Sequence, residues 1–358
     1  MNSRFLIPVL LFTGALCRAQ SAPAEDESRY EMRYSLVVVD DATFYAGRTA
    51  PVPAALNQLL VEPSVGIRER GRWNFNSSLI GLTADSSDTS TQLRVRETYA
   101  TVSLGDFDLT AGRKMVLWGV GYAFSAAGVL DPPRIATNPT DRLNVNEGRD
   151  LVKADWILGK QAVTAAWSTA ALAPANTNLH DTTAFRYNVL VRGFDTSLIA
   201  GHDNGADSFG ALTVTRVVGQ AWELHSEAVW RRQAAVLCGA KFTSAGMTFI
   251  GEFYTRPDVP YYRDRGVSTA AGRQHYGFVN AGKARLRERP GWKEWGISGA
   301  IVANFDDHSY TGVFDASRWF GNHFSSYVHV EIPRGTKTSE FGSAPYATAT
   351  SAGVRFQL

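Results

Sequence analysis

The sequence predicts an all-β protein, a transmembrane antiparallel up-and-down β-barrel of 18 strands, with 16 as the alternative count. Three observations predict it. Apolar and polar residues alternate with period two through nearly the whole chain, in stretches of about 9 to 12 residues, and helical periodicity is hard to find. Tight glycine-containing turns take turns with longer polar loops, as periplasmic turns and extracellular loops do in outer-membrane barrels. The alternation then runs on to the last residue, which suits a sheet whose final strand closes onto its first.

Composition bounds the alternatives. The 358 residues are 44% hydrophobic and 20% charged, which excludes a disordered chain and a disulfide scaffold. No apolar run beyond the leader reaches the roughly 18 residues of a spanning helix. Residues 1–19 read as a signal peptide: Arg4 supplies the positive charge, Phe5 to Cys17 the apolar stretch, and Cys17-Arg18-Ala19 the cleavage site before Gln20. A lipid-modified Cys17 is the alternative, with Leu16 where a small residue is wanted. The 36 basic residues lose Arg4 and Arg18 with the leader, leaving 34 against 34 acidic, so net charge gives no support for nucleic-acid binding. Cys238 is then the single cysteine, which precludes an intramolecular disulfide.

In chain order, Tyr30, Met32, Tyr34, Leu36 and Val38 alternate with Glu31, Arg33 and Ser35. Leu59 to Arg68 reads as a strand returning from a first loop at 41–58. Trp73, Phe75, Leu79 and Gly81 alternate with Asn74, Asn76 and Ser78. Phe185, Tyr187, Val189 and Val191 oppose Arg186, Asn188 and Arg192, and Trp222, Leu224, Ala228 and Trp230 oppose Glu223, His225 and Glu227. Phe324, Val328, Val330 and Ile332 alternate with His323, Ser325, His329 and Glu331, and the last strand runs from Tyr346 to Phe356 and Leu358. That closing segment resembles the C-terminal strand recognised by the barrel-insertion machinery, with Leu358 where an aromatic is usual. Turns are expected at Gly105-Asp106, Gly159-Lys160, Gly219-Gln220, Ser244-Ala245-Gly246 and Gly321-Asn322. Longer loops are expected near 83–91, 118–147, 172–183, 257–273 and 334–344.

Trp156, Trp167, Trp222, Trp230, Trp295 and Trp319 at strand ends fit the two aromatic girdles of a bilayer-spanning barrel. The opposite faces would line a lumen. Its basic residues are Arg94, Arg96, Lys114, Lys153, Arg186, Arg192, His275, Lys283 and Arg285; its acids are Asp155, Glu223, Glu227, Glu252, Glu294, Asp306, Asp315 and Glu331. Such a lining can set a transverse field across small polar solutes, or fill the lumen with ion pairs.

The connection at 118–147 is too long for a hairpin and carries Pro132, Pro133 and Pro139 with Asp131, Arg134, Asp141, Arg142, Glu147 and Arg149. We expect it to fold inward and narrow the pore, braced by Glu97 and Arg113, with Arg94, Arg96, Lys114, Glu223 and Glu227 as further constriction candidates; an external loop over the rim is the alternative. The segment from Leu93 to Asp150 carries Arg96, Glu97, Tyr99, Gly112, Arg113, Trp118, Gly119, Asp131, Pro132, Asn138, Pro139 and Asp141 in an L-R-x-R-E-x-Y, G-R-K, W-G, D-P, N-P-x-D pattern. In this it resembles a broad family of uncharacterised, porin-like proteobacterial outer-membrane barrels. The resemblance implies the architecture and no particular solute.

The chemistry of known surface enzymes is missing from the pattern: there is no G-x-S-x-G elbow, H-E-x-x-H pair or paired-cysteine motif. His202-Asp203 and Asp306-Asp307-His308 are the only candidates for a surface hydrolase. His323 and His329 lie about 20 Å apart along one strand and cannot share an ion. The expectation is a channel for passive diffusion of small polar solutes, with the lipid bilayer as its surroundings, no enzyme activity, no cofactor, no metal and no nucleic-acid partner. A homo-oligomer is compatible with it, and a plugged barrel that docks another envelope component is the competing reading.

Overall fold

A computed structural model describes residues 30–358 apart from 50–51, 70, 87–88, 133, 135, 139–142, 172–179, 205–206, 232, 257–273 and 284–293. The leader expected at 1–19 lies outside the described residues. Among the described residues eighteen strands follow one another: β1 Tyr30–Ala46, β2 Ala55–Glu69, β3 Trp73–Asp85, β4 Thr89–Leu104, β5 Phe107–Lys114, β6 Arg149–Leu158, β7 Gln161–Thr169, β8 Thr182–Val191, β9 Phe194–Asp203, β10 Asp207–Val218, β11 Trp222–Trp230, β12 Ala234–Ser244, β13 Met247–Arg256, β14 Gln274–Lys283, β15 Trp295–Asn304, β16 Ser309–Phe320, β17 Phe324–Arg334 and β18 Thr348–Gln357. Each pairs antiparallel with the next, and β18 pairs with β1 from Val37↔Gln357 to Ala46↔Thr348, closing the barrel. Closure leaves no sheet edge, so every strand finds its ladder partners within the wall.

Alternation decides which face each residue takes. On β11 Glu223, His225, Glu227 and Val229 point inward, while Trp222, Leu224 and Trp230 stand outside, each about half exposed. On β17 Ser325, Tyr327, His329 and Glu331 are inside, with Phe324, Val328, Val330 and Ile332 outside. Outward apolar exposure continues around the wall, with Met32 63%, Leu104 66%, Val217 63% and Val279 62% exposed. An apolar surface of this extent is a liability in water and suits hydrocarbon. Trp73, Trp156, Phe194, Trp222, Trp295, Phe320 and Phe324 ring one end, and Phe44, Trp167, Phe185, Trp230 and Tyr310 ring the other. Trp319 departs from the girdle expected of it: it alternates with outward Arg318 and Phe320 and therefore faces inward.

The connections sort by end only in part, since 86–88, 204–206, 231–233 and 305–308 at the loop end are as short as turns and 284–294 at the turn end is long. Six of those expected or found at one end are tight: 105–106, 159–160, 192–193, 219–221, 245–246 and 321–323. In the first two, Gly105 and Gly159 take positive φ of 67° and 63°, which a side chain would resist. Opposite them lie the longer connections, including 115–148, 170–181 and 335–347. Two expected loops are shorter than their sequence suggests. β1 and β2 extend into 41–58, leaving 47–54, and β3 and β4 extend through 83–91, leaving 86–88, because Thr83 and Thr91 pair across the ladder as readily as apolar residues do. The longest connection starts three residues earlier than expected, at Met115, and ends at Gly148.

Candidate functional site: a segment folded inside the barrel

Residues 115–148 leave the wall at Lys114 and rejoin it at Arg149 on the neighbouring strand, yet they cross the lumen in between. Trp118, Ala123, Phe124, Ala126, Ala127, Val129 and Leu130 are buried in one cluster with the inward residues Val229, Leu237, Tyr254, Tyr276 and Phe278 of β11–β14. Phe124 packs against the rings of Tyr254 (centroids 5.1 Å apart) and Tyr276 (5.7 Å). The return limb packs on the other side, where Leu143 and Val145 meet Val39, Leu60 and Ile80 of β1–β3.

An irregular backbone inside a barrel has no ladder to satisfy its amides, and here carboxylates of the wall take that part. Glu227 is fully buried and accepts four of them. Its Oε1 receives the N–H of Val120 and of Gly121 (2.7 Å), and its Oε2 receives those of Ala126 (2.6 Å) and Ala127 (2.7 Å). Glu252 on β13 accepts from Tyr122 and Ala123 and is held by His225 Nε2 at 2.9 Å. Glu223 accepts the Tyr122 hydroxyl at 2.7 Å, while Lys241 donates to the same hydroxyl at 3.0 Å. Charge-assisted bonds of this kind are each worth on the order of 1.5–3 kcal/mol. Within the segment Asp131 accepts the amides of Trp118 (2.7 Å) and Gly119 (3.0 Å), and Arg134 donates to the Gly119 carbonyl. Burial pushes the Asp131 carboxyl up to about 6, against the pull of those two amides and Arg134.

The entry and exit of the segment are tied by a second group. A bulge on β4 inserts Arg96 between Val95 and Glu97 opposite β3, so that Arg94, Arg96, Glu97 and Tyr99 all reach the inside. The bulged carbonyl of Arg96 accepts the Gly148 amide at 2.8 Å, and its guanidinium donates to Glu62 (2.6 Å) and to the Asn144 carbonyl (3.3 Å). Glu97 accepts the Met115 amide at 2.7 Å. Arg113 clamps Asp150 with two bonds (3.0 and 2.7 Å) and reaches Glu147, which also pairs with Arg94 at 3.1 Å. Lys114 sits over the Tyr99 ring at 4.4 Å.

The structure thus joins Arg94, Arg96, Glu97, Arg113, Asp131, Arg134, Glu223 and Glu227 in the anchoring of one segment, with Lys114 at its root. Asp141 and Arg142 lie outside the described residues. Several residues expected in the lumen are elsewhere. Arg192 occupies a turn at φ 50°, and His275 and Lys283 alternate onto the outer face of β14, where His275 stacks near Phe253 and bonds Asp306. Arg285 lies outside the described residues. His202 and Asp203 point to opposite faces of β9, so they form no dyad, and His308 is a turn residue at φ 57°. Among the described residues no cluster of three or more metal-ligating side chains occurs.

Beyond the segment, toward the turn end, a cavity of about 660 Å³ is lined by Glu31, Arg33, Glu62, Arg68, Asn74, Asn76, Glu97 and Lys114. Toward the loop end a second cavity, of about 460 Å³, lies between Phe124, Arg134 and the connection 335–347. That connection also turns inward: Phe341 packs on the buried cluster, and Glu340 accepts the Tyr276 hydroxyl (2.8 Å) and an Asn304 amide proton (2.7 Å). Sequence reasoning missed Glu340 and Arg256 as site residues. Their signal, a charge at a strand end or in a loop, is what any solvated position shows.

No family model matches the chain, and no curated protein matches it in sequence. Solved structures match it in fold. OccK5 (OpdH) of Pseudomonas aeruginosa superposes with a TM-score of 0.59 at 10% identity, covering 92% of this chain and 98% of its own. OpdQ of Pseudomonas aeruginosa gives 0.58 at 9% identity, with coverage of 92% and 99%. The chain therefore has the fold of an 18-stranded outer-membrane porin, over nearly its whole length.

Proposed function

We propose that the protein is an outer-membrane channel through which small polar solutes diffuse passively, past a constriction formed by residues 115–148. The carrying observation is the combination of a closed, apolar-faced wall with an interior segment held by the wall's own carboxylates. A segment fixed by Glu227, Glu252 and Asp131 narrows the lumen in a defined way, where a floppy loop would close it at random. Arg94, Arg96, Lys114, Lys153 and Arg186 project inward from β4–β8 beside Glu62, Glu97 and Asp155, and Glu223, Glu227 and Glu252 from β11–β13 beside Lys241, so charges of both signs face the constriction. The porin fold and the resemblance of the Leu93 to Asp150 segment support the same reading, and no catalytic residue is assigned.

A second reading has its own observation. The interior segment touches both sides of the lumen, and Phe341 covers it from the loop end, as in a plugged barrel that serves as a docking partner. Conductance of the folded protein in a planar bilayer, under a salt gradient, separates the two. Stable single-channel steps with a measurable ion preference are expected. Silence from protein shown to be folded by its heat-modifiable mobility would overturn the channel and favour the plug.

A further inference from the structure

Two residues that line the 460 Å³ cavity at the loop end carry buried polar atoms that the protein leaves unmatched. Arg256, the last residue of β13, is 5% exposed, and its Nη1 has no hydrogen-bond partner. Glu340 uses one carboxylate oxygen for Tyr276 and Asn304, while its Oε1 is buried and also without a partner. Both residues line the same cavity. A buried donor and a buried acceptor with nothing to bond are each costly, and together they specify what a guest must bring. The guest needs an acceptor group for the guanidinium and a donor group for the carboxylate.

The remaining walls narrow the chemistry. Phe124, Tyr254 and Tyr276 form a run of rings, with Phe124 stacked on Tyr254 at an interplanar angle of 23° and Tyr254 on Tyr276 at 26°. Such a surface accepts a flat apolar body. Of the ionisable groups in the lining, Arg134 and Arg256 are balanced by Glu331 and Glu340. A net anion would meet two glutamates and a net cation two arginines, whereas a molecule carrying one charge of each sign meets complementary partners.

We propose that this cavity is a binding station for small zwitterions with a flat side group, of which an aromatic α-amino acid is the simplest example. Its carboxylate would bond Arg256, its ammonium would bond Glu340, and its ring would lie on Phe124 and Tyr254. The inference deepens the channel reading by naming a solute class, but the station itself requires only the folded barrel.

The test is therefore a binding measurement that does not depend on conduction: calorimetric titration of the full-length, detergent-folded protein with L-phenylalanine, phenylacetate and phenethylamine. Saturable binding of L-phenylalanine is expected, with each one-charge analogue weaker by about tenfold or more, because each leaves one buried group unpaired. Equal binding of phenylacetate, or no saturable binding of L-phenylalanine by folded protein, overturns the proposal. R256Q should abolish the preference for L-phenylalanine over phenethylamine and E340Q the preference over phenylacetate, and retention of that preference by either folded variant also overturns it. Because the analogue series uses the unaltered protein, the test survives a variant that fails to fold. Binding without conductance would count against the channel alone, and conductance without binding against the station alone.

Discussion

At the scale of single residues, the interior segment depends on Glu227 more than on any residue of its own. One buried carboxylate satisfies the amides of Val120, Gly121, Ala126 and Ala127. In Glu227→Ala these four donors lose their acceptor inside a cluster that also buries Trp118 and Phe124, at a cost of about 1–3 kcal/mol for each donor left dry. The segment should detach, giving a higher single-channel conductance and protease cleavage within 120–130 of an otherwise intact barrel. Asp131 offers a pH handle. Burial raises its carboxyl to about 6 in the folded protein, while in the unfolded chain it titrates near the ordinary value of 3.8. The folded state consequently bears a cost above pH 6, on the order of 3 kcal/mol, which is relieved as pH falls from 6 toward 4. Comparing guanidinium midpoints of the wild type and Asp131→Asn between pH 7 and 4.5 should show the wild type gaining stability relative to the variant. A constant difference across that range would show that Asp131 titrates normally.

At the scale of elements, the wall was legible and the packing within it was not. Alternation in β11 and β17 assigned Glu227 inward and Val330 outward from residue order alone, because a strand offers only two faces. The same rule failed where order is interrupted. The bulge at Arg96 brings both Arg96 and Glu97 inside, which strict alternation forbids, and Thr83 to Asp85 and Thr89 to Thr91 look like loop by composition yet pair as strand. That Glu227 serves four amides from residues more than ninety positions earlier could not be read from sequence, since any inward glutamate of a porin looks alike. Two substitutions test the elements. Val330→Lys places a charge on the outer face of β17 and should impair assembly by about 2–4 kcal/mol near the bilayer midplane, seen as loss of the heat-modifiable band. At Gly148, an added Cβ would lie 2.5 Å from the Lys114 carbonyl carbon and 2.8 Å from the Met115 nitrogen, where the segment leaves and rejoins the wall. Gly148→Val should spread that neck, break the bond to the Arg96 carbonyl and raise conductance without unfolding the barrel.

At the scale of the whole molecule, the barrel and its contents are one structure. The chain crosses its lumen with its own segment, anchored to strands on both sides, so Glu97, Glu223, Glu227 and Glu252 of the wall have partners and the amides of Met115, Val120, Gly121, Tyr122, Ala123, Ala126 and Ala127 have acceptors. The expected conductance is accordingly well below that of an unobstructed barrel of this strand number, and removal of the anchors at Glu227 and Glu252 together should bring it up toward that limit. The anchoring has a consequence for hydrogen exchange as well. Irregular connections ordinarily surrender their amide protons first, because water reaches them without any opening of the fold. Here the N–H groups of Val120, Gly121, Tyr122, Ala123, Ala126 and Ala127 are bonded to buried carboxylates behind a closed wall. Their deuterium uptake should be as slow as that of the strands around them, so that a segment with no regular secondary structure ranks among the most protected parts of the chain.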